Sequence, residues 1–103
     1  MYLEQFVYKI IDYLVITTRH TTNNQGDTRL VLYLEYSYKM GISSLKSHKS
    51  VTLMFHFDRG QKLYILTNYK LPMGLMEFLV KDKMLINKDH NYYLTESALL
   101  RII

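Results

Sequence analysis

Four histidines, His20, His48, His56 and His90, are the side chains of this chain best suited to hold a metal ion or to move a proton near neutral pH. Their spacing supports neither role. His48 and His56 stand eight residues apart, so they would share a helix face only approximately and lie too far apart to be ligands of one ion. The chain has no cysteine, which excludes disulfides and thiolate zinc sites. Aspartates and glutamates are scattered singly, leaving no pair of carboxylates for acid–base work. No GxxxxGK phosphate loop, GxSxG elbow or HExxH pair occurs. The expectation is a protein that is not an enzyme and needs no cofactor.

The basic residues offer a different chemistry. Net charge is +4, and from Tyr36 to Phe57 there is no acidic residue, while Lys39, Lys46, Lys49, His48 and His56 lie in that stretch. It reads either as a solvated, serine-rich surface or as a patch that faces phosphate. Together with Lys81, Lys83, Lys88 and His90 further on, Lys46 and Lys49 are the candidate nucleic-acid contacts. They suit the backbone rather than the bases, so they would position a duplex without specifying its sequence.

These residues must be carried by a small fold. The 103 residues fit one domain, and a hydrophobic content of 49% is enough for a core. A core of this size is marginal alone, which leaves room for a partner or a homodimer. Ten tyrosines and six methionines suit partly exposed interfaces, because tyrosine joins an apolar body to a polar tip and methionine adapts to irregular surfaces. Glu4 interrupts the N-terminus early and no apolar run approaches the roughly 18 residues of a membrane span. A cytoplasmic protein without membrane contact is expected.

Apolar residues at Leu3, Phe6, Val7, Ile10, Ile11, Leu14 and Val15 follow helical steps and predict an N-terminal helix over 1–20. TTNNQGD is a turn, after which Asp27 or Thr28 could cap a second helix, RLVLYLEYSYKM, ended by Gly41. The next segment is ambiguous. Ser43 or Ser44 could cap a helix to about Phe57, yet Val51, Leu53, Phe55 and Phe57 alternate as in a strand, with DRGQ as the turn to KLYILT. Two flanking helices leave little sheet for such a hairpin to join, which favours the helix. Pro72 then suits the first turn of an amphipathic helix with Leu71, Leu75, Phe78, Leu79 and Leu85 on one face. Beyond it, Leu85-Ile86 and Tyr92-Tyr93-Leu94 flank a polar tip, Asn87 to Asn91, as a small hairpin, and Thr95 can cap a closing helix.

This order predicts a mainly α fold with a terminal β-hairpin, a single winged-helix-like domain over 1–103 with helix, wing and closing helix in 72–103. The stretch KDHNYYLTES resembles the wing of MarR- and PadR-type winged-helix regulators, in which "YYLTE" leads into a helix. Those families usually place a glycine where the helix enters the wing; this chain has Lys83-Met84. Such a resemblance implies DNA binding, with the helix before the wing in the major groove. That helix, however, presents Met73, Gly74, Met76, Glu77, Val80 and Asp82 away from its apolar stripe, a set poor in base-reading groups. Met73, Met76 and Val80 are therefore expected to bind a protein partner, and DNA-binding regulation stands as the alternative.

A second resemblance covers most of the chain. The succession IIDYLVI, RLVLYLEYSYKMGISSL, KSVTLMFHFDR and a winged tail, with Asp12-Tyr13 in the first block and Leu53 to Arg59 in the third, is similar to the small middle components of ABC-three-component and Lamassu-type anti-phage systems. It implies a non-catalytic adaptor between an SMC-like ATPase and an effector subunit.

Overall fold

A computed structural model describes residues 8–40, 45–68, 71–72 and 74–102. The fold is not the mainly α winged helix expected from the sequence. Six strands, β1 (Tyr8–Thr22), β2 (Thr28–Met40), β3 (Ser47–Asp58), β4 (Leu63–Leu66), β5 (Leu85–Lys88) and β6 (Asn91–Leu94), form one antiparallel sheet in the order β1-β2-β3-β4-β6-β5. The described helices are two short ones, α1 (Leu75–Lys81) and α2 (Glu96–Ile102).

Of the helix expected over 1–20, residues 1–7 lie outside the described residues and the rest belongs to β1, whose helix-like pattern has a physical origin. Two register shifts, between Ile10 and Asp12 and between Val15 and Thr17, each insert one extra residue against β2. Core-facing positions therefore fall at Ile10, Tyr13, Val15, Thr18 and His20, opposite Tyr38, Tyr36, Leu34, Leu32 and Leu30. A strand bulged in this way departs from period two and mimics helical steps.

The expected second helix is β2, and here the signal was present in plain form. Leu30, Leu32, Leu34, Tyr36 and Tyr38 are all buried; of the residues between them Tyr33 and Glu35 are exposed, Val31 is half-buried and the small Ser37 is buried. On a helix, residues two apart point ~200° away from each other, so strict alternation cannot build one apolar face there. The proposed helix ends at Gly41, Ser43 and Ser44 lie outside the described residues. In β3 the helical reading also fails, and the hairpin alternative is what forms. Leu53 and Phe55 are buried, and Val51 and Phe57 pack against the core. The turn to β4 is closed by Lys62 N–H donating to the Asp58 carbonyl at 2.7 Å, while Asp58 Oδ1 accepts from Gly60 N–H at 2.9 Å.

The C-terminal third follows expectation more closely. Helix α1 begins at Leu75, after Gly74 in the left-handed conformation (φ 87°), with Pro72 lying upstream of the first turn. It buries Leu75 and Leu79, and carries Glu77 in its first turn and Lys81 in its last, as the helix dipole favours. The hairpin forms with a shorter turn than the polar tip suggested. Lys88 pairs with Asn91, leaving Asp89 (φ 50°) and His90 (φ 68°) as the two central residues. Two positive φ values in succession match the twist of a hairpin. Thr95 caps α2: its Oγ1 accepts from Ala98 N–H at 3.2 Å and donates to the Lys83 carbonyl at 2.7 Å.

One buried cluster runs from Ile10 to Ala98, joining the inner face of the sheet to Leu75 and Leu79 of α1 and Ala98 of α2. The architecture is thus a sheet with helices on one face. Among the described residues no helix is long and apolar enough to cross a membrane.

Candidate functional site

Because the described helices pack on one face of the sheet, the register of the strands decides which side chains the other face presents. On that outer face Leu14 lies opposite Glu35, Thr17 opposite Tyr33, Tyr33 opposite Thr52, and Val31 opposite Met54. Leu14, Ile16, Tyr33 and Met54 are 64%, 56%, 38% and 45% exposed. Ile16, the extra residue of the second bulge, joins Tyr33, Ser50 and Thr52 around a shallow recess. The result is an apolar band across β1, β2 and β3.

Weak polar pairs flank the band. His48 Nδ1 lies 3.8 Å from Glu35 Oε1 and 3.2 Å from Ser37 Oγ, and His56 Nε2 lies 3.9 Å from Asp27 Oδ1. The carboxylate contacts are between half-exposed groups and contribute little to stability. An apolar centre with a polar rim is the anatomy of a protein-binding surface.

A groove of about 490 Å³ lies where β1 meets the helices, lined by Tyr13, Val15, Phe78, Asp82, Arg101 and Ile102 among others. The Tyr13 hydroxyl donates to Asp82 Oδ2 at 2.6 Å, and its ring meets that of Phe78 edge to face at 6.1 Å. Burial, then the hydrogen bond to Asp82 and its negative charge, push the Tyr13 pKa up to about 12, against a smaller opposing effect of Arg101. A phenol held neutral in this way donates its proton to the Asp82 carboxylate at physiological pH. On the inner face, His20 Nε2 and Tyr64 Oη are 2.8 Å apart, and burial raises the Tyr64 pKa.

The four histidines do not converge. His20 is on β1, His48 and His56 are on β3, and His90 is in the β5–β6 turn. Eight residues of extended chain separate His48 from His56 by ~26 Å, farther than the helical reading implied. Among the described residues no group of three or more histidine and carboxylate side chains could hold a metal ion.

Two of the three expected partner-binding residues lie among the described residues. Met76 and Val80 are half-buried and pack against the core cluster, while Met73 lies outside the described residues. The expected nucleic-acid contacts are dispersed. Lys46 and Lys49 lie at the Ser47 end of β3, whereas β4, which leads to β6, pairs with its other end. Lys49 lies opposite Tyr36, and its Nζ is 5.7 Å from the centre of the Tyr38 ring. Lys81 ends α1, Lys83 (φ 63°) sits in the turn to β5, and Lys88 and His90 belong to the β5–β6 hairpin.

The outer band and the Tyr13–Asp82 contact were not foreseen. A period-two reading of β2 would have found Tyr33 on the outer face, but Asp82 lies 69 residues from Tyr13 and no local pattern links them. Asp12-Tyr13 stands in β1 and not in the helix expected over 1–20. Comparison with protein-family models, with curated proteins and with solved structures found no match to this chain.

Proposed function

We propose that this chain is a non-catalytic accessory subunit that binds a protein partner through the outer face of its sheet. The observation that carries the reading is the exposed band of Leu14, Ile16, Tyr33 and Met54, a continuous apolar surface on a folded domain. Burying the exposed part of such side chains is worth on the order of 1 kcal/mol each, and a few anchors of this kind can dominate an interface. The dispersal of the lysines over β3, α1 and the hairpin favours this reading over a DNA-binding surface.

The experiment is co-expression with an SMC-like ATPase and an effector subunit, the partner class that the sequence resemblance implies, followed by affinity capture. Leu14→Glu combined with Met54→Glu should abolish capture while far-ultraviolet circular dichroism stays unchanged. Capture that survives both substitutions would show that the outer face is not the binding surface.

A further inference from the structure

Among the described residues, strand β1 forms one margin of the sheet, paired with β2 on one side only. We infer that this margin joins a second copy of the chain, edge to edge and antiparallel, about a two-fold axis between Ile16 and Thr17. The inference does not depend on the protein-partner reading: it concerns the isolated chain and the backbone edge of β1, although Leu14 and Ile16 of the outer band flank the seam.

The first observation is the order of faces along β1. Register against β2 puts Asp12, Leu14, Thr17, Arg19 and Thr21 on the outer face, and Tyr13, Val15, Thr18 and His20 on the inner face. Ile16 lines the outer recess with Tyr33 and Thr52, so it points outward beside Thr17. From Asp12 to Thr21 the order is therefore out, in, out, in, out, then out, in, out, in, out, and it reads the same from either end. A straight strand laid against this edge would fall out of phase at the bulge, since one extra residue exchanges the two faces. A strand with the same bulge at the same place stays in phase throughout. Ile16 then faces Thr17 of the second copy, Val15 faces Thr18, Leu14 faces Arg19, Tyr13 faces His20 and Asp12 faces Thr21.

Charge gives the second observation. In this register Asp12 lies diagonally across from Arg19 of the second copy, at the ~7–8 Å backbone spacing that long side chains span. The two-fold axis makes the contact twice. Both residues are exposed on the outer face.

The groove beside β1 gives the third. Its strand wall is Ile11 to Val15, and the residues facing that stretch across the seam are Thr18 to Thr22 of the second copy. Its helical wall comes from Phe78, Asp82 and Arg101. Because the strands run antiparallel, the two grooves stand at opposite ends of the seam. Each receives the inner-facing Thr18 of the other copy, while His20 stays against Tyr64 of its own copy.

Sedimentation equilibrium of the isolated chain tests this. The wild type should sediment at twice its 12.3 kDa mass. Asp12→Arg and Arg19→Asp should each weaken the dimer by about tenfold, since two attractive contacts become repulsive, and the double variant should recover wild-type affinity. Because the chain has no cysteine, a second measurement is independent of charge. An equimolar mixture of Ile16→Cys and Thr17→Cys chains should form a mixed disulfide dimer under mild oxidation. A monomeric wild type, single charge variants that dimerise normally, a double variant that fails to recover, or the absence of the mixed disulfide would each overturn the inference.

Discussion

Tyr13 and Asp82 tie the margin of the sheet to the end of α1: the phenol of one donates to the carboxylate of the other at 2.6 Å. Asp82 is also the residue at which α1 stops, its N–H returning to the Phe78 carbonyl at 2.9 Å. One contact therefore fixes both the bulged strand and the place where the chain leaves the helix.

That contact makes stability depend on alkaline pH. Tyr13 donates only while neutral, and its pKa rises from the ordinary 10.0 to about 12 on folding, first through burial and then through Asp82. Its contribution is complete below pH 10 and is lost as the pH climbs to about 12. Urea denaturation across this window should show a falling midpoint, and Tyr13→Phe should make the fall shallower. An unchanged slope in the variant would mean that other tyrosines, Tyr64 among them, account for it.

Thr95 should be a sensitive position in the tail. Its hydroxyl caps α2 and also holds the Lys83 carbonyl at the entry to β5. Thr95→Ala should cost about 1 kcal/mol, read from the chemical-denaturation midpoint, and Thr95→Ser should keep most of the wild-type stability.

Leu79 tests whether α1 belongs to the same core as the sheet. It is fully buried, and Leu79→Ala should destabilise the protein by about 2–5 kcal/mol. If the inner face of the sheet and the helix share one core, near-ultraviolet signals from the tyrosines and amide protection in β2 should weaken together.

The outer face should behave in the opposite way. Met54→Glu replaces an apolar side chain that is 45% exposed and stands outside the core cluster, so stability should stay within about 0.5 kcal/mol of wild type. Its effect should fall on partner capture.

The tail was legible because its signals are local. A threonine at the cap, a leucine pair four residues apart and a polar tip between two apolar runs each act within a few residues. The first two-thirds misled for reasons that can be named. Bulges in β1 put apolar residues at helical intervals, and apolar Leu14 and Ile16 on the outer face hid the inner stripe of Ile10, Tyr13 and Val15. In β2 the alternation from Leu30 to Tyr38 is in the sequence, but the segment reads as a helix when the cap residues Asp27 and Thr28 are taken as its start and a helix is taken to precede it. The same assumption then made the β3–β4 hairpin look as if it had no sheet to join. The candidate surface depends on which face the helices cover, and that is a tertiary outcome no single segment encodes.

Ile65 and Tyr93 are the one registered pair between β4 and β6. The backbone ladder is continuous through the first four strands and again within the tail hairpin, but between these it narrows to that single rung. Cohesion across it rests on side chains, with Tyr64 and Leu66 on one side and Met84, Leu85 and Leu94 on the other sharing the core. Native proteins open sub-globally in contiguous cooperative units that often coincide with supersecondary motifs. The molecule therefore has a seam along which two cooperative units can part, and native-state hydrogen exchange should see the α1–β5–β6–α2 tail open before the long-stranded meander does.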